Sequence, residues 1–77
     1  MKSKYDWLGV DPEVKWIATD ADGNMWKYEE KHGKPFPYNG DEVWTCSGNY
    51  LIQQFVGISN FEGNWQDSLE ERPNEFN

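Results

Sequence analysis

Two runs in the first half of the chain, Val14–Thr19 and Met25–Glu30, are rich in β-branched and aromatic residues. They flank Asp20-Ala21-Asp22-Gly23-Asn24. Strand-like runs on either side of an Asp-Gly turn predict a β-hairpin. Loop length decides which side chains share a face, because a slip of one residue turns a strand over. A two-residue Asp22-Gly23 turn sets Ile17 against Tyr28 and Trp16 against Glu29, dividing the tryptophans between faces. A three-residue loop, Ala21-Asp22-Gly23, sets Trp16 against Tyr28 and Ala18 against Trp26, with Val14 on the same side. Lys15, opposite Glu29, then shares the other side with Ile17 and Lys27. One face is aromatic and the other largely charged, as a half-buried antiparallel sheet requires. Gly23 takes the left-handed position at little cost. The three-residue loop is therefore expected.

The rest of the chain is less periodic. Met1–Lys4 reads as mobile, with Lys2 and Lys4 solvated. Tyr5, Trp7 and Leu8 predict an irregular or helical turn that docks Trp7 on the sheet, and Asp11-Pro12 suits the turn into the first strand. Residues 31–41 hold two prolines, two glycines and an asparagine, so a loop is expected there. It should be extended through Pro35-Phe36-Pro37, with Phe36 and Tyr38 anchoring it. Loops carry recognition, which makes this one the leading candidate. Glu42–Cys46 and Tyr50–Ile58 read as a second hairpin around Ser47-Gly48-Asn49, its register left open, and Gly57 marks a bulge or a close backbone approach. Asn64 suits the cap of a helical turn that puts Trp65 and Leu69 on one side, with Asp67, Glu70 and Glu71 on the wet side. Pro73 stops that turn, and 74–77 reads as a mobile acidic tail. The fold class is mainly β. A single small domain over residues 1–77 is expected, a twisted four-stranded antiparallel meander with a short C-terminal helical turn.

Composition narrows the function. Seventy-seven residues suit one domain, and a chain this short buries only about 60% of its unfolded surface. Five tryptophans, four tyrosines and four phenylalanines supply the large pieces such a core needs, each burying about 150–250 Å². A small core filled with big rings is the plainer account of them; an exposed aromatic patch for binding is the other. The net charge is −7 and most of it lies beyond residue 40, where Arg72 is the only basic residue. That surface repels phosphate backbones and anionic membranes, so direct nucleic-acid and membrane binding are set aside and a basic protein partner is favoured. Cys46 is the single cysteine, which excludes a disulfide framework and a cysteine metal cage. With no secretory or membrane-spanning apolar stretch, a cytoplasmic protein is expected.

Candidate chemistry is sparse. Asp20, Asp22 and Glu29 partly fit the third, fifth and twelfth positions of a calcium loop around Gly23. The first ligand position then falls on Ala18, and the flanks read as strands instead of helices. Turn chemistry accounts for these residues without a metal, and no cofactor is expected. His32 and Cys46 lack a third orienting group, so a nucleophilic pair is not supported; a solvated histidine and a buried thiol are simpler. Glu29-Glu30 on a strand point to opposite faces and make no acid–base pair. An enzyme is not expected. A WW-type proline-binding module is also set aside, because Trp44 is followed by Thr45 and Cys46 where a proline belongs.

Two segments together resemble a group of small tailed-phage and prophage proteins with no assigned activity. One is Trp16-Ile17-Ala18-Thr19-Asp20 with Asp22-Gly23. The other is Gly63-Asn64-Trp65-Gln66-Asp67-Ser68-Leu69-Glu70-Glu71-Arg72-Pro73. Tyr28-Glu29-Glu30-Lys31 belongs to the same pattern, from which this chain departs by inserting His32-Gly33-Lys34 before Pro35. The resemblance implies a phage accessory factor in the cytoplasm of the bacterial host. The expected function is a non-enzymatic protein-binding module that binds or inhibits a host or phage protein, itself basic or nucleic-acid-binding. Asp67, Glu70 and Glu71 would supply charge and Tyr38 and Trp44 aromatic anchors. The alternative is a structural or self-assembling, homodimeric phage component.

Overall fold

The structure, a computed structural model, describes residues 3–46, 54–59 and 61–76. Strands β1 (Val14–Thr19) and β2 (Asn24–Glu29) form the central hairpin. Around it lie β3 (Phe36–Tyr38), β4 (Val43–Thr45), β5 (Gln54–Ile58) and β6 (Glu70–Glu71), with single 3-10 turns at Glu30–His32, Trp65–Asp67 and Asn74–Phe76. The fold is mainly β, and its main sheet has four antiparallel strands in the order β5-β2-β1-β6. β3 and β4 make a separate antiparallel ribbon.

The central hairpin has the expected register: Trp16 lies opposite Tyr28 and Ala18 opposite Trp26. Its three-residue loop closes through Asp20 N–H donating to Asn24 O at 2.9 Å and Gly23 N–H to Asp20 O at 2.9 Å. Gly23 has φ +90°, the left-handed backbone that a side chain resists. Trp16, Ala18 and Tyr28 pack with Trp44 and Cys46 on one face, and Trp26, Trp65 and Leu69 fill its margin.

At the start of β1 the register shifts, so that Val14 and not Lys15 lies opposite Glu29. A bulge of one residue moves Val14 off the Trp16 face. It joins Ile17 against Tyr5 and Trp7, flanked by Val10, Met25 and Phe61. The expected charged outer face is therefore a second apolar layer, covered by the N-terminal segment. Lys15 reaches Glu71 at 3.7 Å.

The C-terminal segment locks this layer. Asn64 caps the turn at Trp65–Asp67, its side chain accepting from Gln66 N–H at 3.0 Å. Glu70 and Glu71 then leave helical geometry and pair with Ile17 and Trp16 as β6. The Arg72 guanidinium lies 5.0 Å from the Trp7 ring centroid, and its Nε donates to Val14 O at 2.8 Å. Arg72 N–H donates to Lys15 O at 2.7 Å. Lys4, expected to be solvated, donates Nζ to Asp67 O at 2.7 Å and Leu69 O at 3.0 Å. Asn74–Phe76, expected to fray, makes a further 3-10 turn.

Among the described residues β4 pairs with β3, in the register Phe36–Thr45, Pro37–Trp44 and Tyr38–Val43. β5 covers the edge of β2, and residues 50–53, which the expected second hairpin sets against β4, lie outside the described residues. β3 and β4 are joined by one four-residue turn, so closing that ribbon costs little chain entropy. An edge strand also tolerates Pro37, which has no N–H to give. The expected turn at Ser47-Gly48-Asn49 lies outside the described residues.

Candidate docking groove

The β3–β4 ribbon is fastened to the tip of the central hairpin by two backbone donors. Trp44 N–H donates to Asp20 Oδ1 at 2.8 Å and Ala21 N–H to Glu42 O at 3.1 Å. Asp20 is only 6% exposed. Burial pushes its carboxyl above the usual carboxylate range and neighbouring Asp22 pushes the same way, while the hydrogen bonds from Trp44 and Trp26 oppose them.

Between the ribbon and the sheet runs an open groove of about 670 Å³, lined by Asp20, Trp26, Phe36, Tyr38, Asp41, Val43, Trp44 and Thr45. Trp44 forms its floor and is nearly all buried. Its indole N–H lies 3.0 Å from Thr19 O, 3.1 Å from Ser68 Oγ and 3.2 Å from Trp65 O. The Trp65 ring meets it edge-on, 6.0 Å between centroids. Phe36 and Tyr38 remain 47% and 51% exposed. The Tyr38 ring lies over Gly40, where a Cβ would come within 2.9 Å of Tyr38 Cζ. Gly40 thus gives the ring its resting place.

The residues singled out from sequence separate into two regions. Tyr38 and Trp44 come together in the groove. Asp67, Glu70 and Glu71 do not line it. The Glu70 carboxylate accepts from Trp7 Nε1 at 2.7 Å and Lys4 N–H at 2.9 Å, while Glu71 pairs with Lys15. Those two carboxylates serve the fold, and Asp67 is exposed. The acids beside the aromatics are instead Asp20 and Asp41. Asp41 closes the 31–41 loop three residues after Tyr38 and belongs to no motif that would single it out in the sequence.

The calcium-loop candidates are spent on turn geometry. Asp22 Oδ1 accepts from Asn24 N–H at 2.9 Å and Asp20 holds Trp44. Glu29 stands five residues up β2 from Asn24, about 17 Å at about 3.4 Å per residue. Among the described residues no three metal-ligating side chains gather. The His32 side chain lies outside the described residues, and Cys46 is buried in the aromatic layer.

A second polar cluster joins Tyr5, Thr19 and Ser68. Tyr5 OH donates to Ser68 O at 2.8 Å and lies 2.8 Å from Thr19 Oγ1. Ser68 Oγ accepts from Thr19 N–H at 2.9 Å and lies 2.6 Å from Trp65 O. These partners are neutral, and burial raises the Tyr5 phenol above its ordinary value, so nothing here activates a hydroxyl as a nucleophile. No helix among the described residues is long and apolar enough to cross a membrane. No family model, curated protein or solved structure matches the chain.

Proposed function

We propose that this chain is a non-enzymatic protein-binding module, a phage or prophage accessory factor that occupies a host protein in the bacterial cytoplasm. One observation carries the reading. Both faces of the central hairpin are consumed by packing, yet Phe36 and Tyr38 stand half exposed over a groove of about 670 Å³. Exposed aromatics beside a preformed groove are the composition of interface anchors. The net charge of −7 favours a basic partner, such as a protein that otherwise binds nucleic acid.

Immobilised wild type should retain a discrete protein from bacterial lysate at low and moderate salt, and the F36S/Y38S variant should release it. Equal retention by both, or none by either, would overturn the reading. A self-assembling component is the second reading, favoured by Ile58, 73% exposed at the end of edge strand β5. Analytical ultracentrifugation separates the two, since a concentration-independent monomer leaves only the first.

A further inference from the structure

We infer that the groove is the seat for a cationic side chain of the partner, arginine in preference to lysine. This rests on the protein-binding reading and names the chemistry of what binds. Among the described residues eight line it, of which four are aromatic, two are aspartates and none is basic. Aromatic rings present a negative face to a cation, and a planar guanidinium also stacks on them while its fork hydrogen-bonds a carboxylate.

A neutral apolar occupant fits less well. It would cover the groove and take the exposed Asp41 carboxylate further from water without pairing it. Uncompensated burial of a charge is unfavourable. A cation turns the same desolvation into attraction. Asp20 cannot swing away to meet water, because the Trp44 N–H holds its Oδ1 at 2.8 Å. Three of the chain's own lysines have bonds elsewhere: Lys15 with Glu71, Lys31 with Glu29, and Lys4 with the C-terminal segment. Among the described residues neither Asp20 nor Asp41 makes an ion pair, and the net charge of −7 would speed the encounter with a cation at low salt.

The test uses the full chain, ¹⁵N-labelled, titrated with capped glycine pentapeptides carrying one central arginine, lysine, citrulline or norleucine. Citrulline keeps the shape of arginine without its charge. Arginine in the millimolar range should shift the indole N–H signals of Trp26 and Trp44 and the amides of residues 36–45. Lysine should bind more weakly, and citrulline and norleucine about tenfold more weakly than arginine. D41N should weaken arginine about three- to tenfold and leave citrulline unchanged, with an amide spectrum otherwise like that of wild type.

Citrulline binding as well as arginine, shifts lying outside the groove, no shifts at all, or a folded D41N with unaltered arginine affinity would each overturn the assignment. If F36S/Y38S still abolishes capture from lysate in that event, the protein-binding reading stands with a neutral occupant. If it does not, both fail.

Discussion

Ser68 has no exposed surface, and its hydroxyl stands between the Thr19 backbone, the Trp44 indole and the Trp65 carbonyl. Its removal leaves the buried Thr19 N–H without an acceptor, a loss of about 1–3 kcal/mol. S68A should lower the urea midpoint accordingly without changing the slope. Asp20 makes the opposite kind of prediction. Its carboxyl titrates above the ordinary 3.8 when folded, so folding favours the protonated form. The stability this contributes is fully present below pH 3.8 and lost as pH rises through the raised value. D20N keeps an acceptor for Trp44 N–H and has no proton to lose. Its stability relative to wild type should therefore rise between pH 3.8 and neutrality, in urea titrations across that range; a flat difference would contradict the assignment. Neither role was legible in the sequence. Ser68 sat within a recognised segment as a small polar residue, and Asp20 read as turn chemistry, because a buried partner more than twenty residues away leaves no local trace.

The central hairpin was legible as an element because aromatic periodicity and the position of Gly23 agree on one loop length. The bulge at its start was not, since one added residue leaves the composition of β1 unchanged while moving Val14 to the other face. β6 was hidden for a related reason. Two glutamates after a capped turn look like the wet side of a helix, and only the edge of β1 makes them a strand. The pairing of β4 with β3 was not legible either, because a three-residue strand holding Pro37 reads as loop. At this scale Arg72 is the informative residue. R72K keeps the charge but loses the planar fork over Trp7 and the bond to Val14 O, so about 2 kcal/mol should go. Calorimetry should show Tm lower by about 8 °C or more. K15A breaks only the exposed pair with Glu71, 3.7 Å across the same edge, and should cost less than about 1 kcal/mol.

Among the described residues two apolar layers lie on one hairpin, closed by the N- and C-terminal segments, which meet through Lys4, Glu70, Trp7 and Arg72. Small size forces this economy, since large rings must cover both faces before a core forms. The groove adds exposed aromatic rings and two aspartates to a chain whose net charge is −7. The groove was half legible: Tyr38 was singled out from the composition of its loop, whereas Asp41 and the burial of Trp44 required the ribbon's pairing. The most direct test places a photocrosslinking phenylalanine analogue at Tyr38 in one variant and at exposed Glu13, which lies outside the groove, in another. After irradiation in bacterial cells, position 38 should give a discrete adduct with a second protein while position 13 gives none. The same adducts from both positions, none from position 38, or only a covalent dimer of the chain would contradict the account.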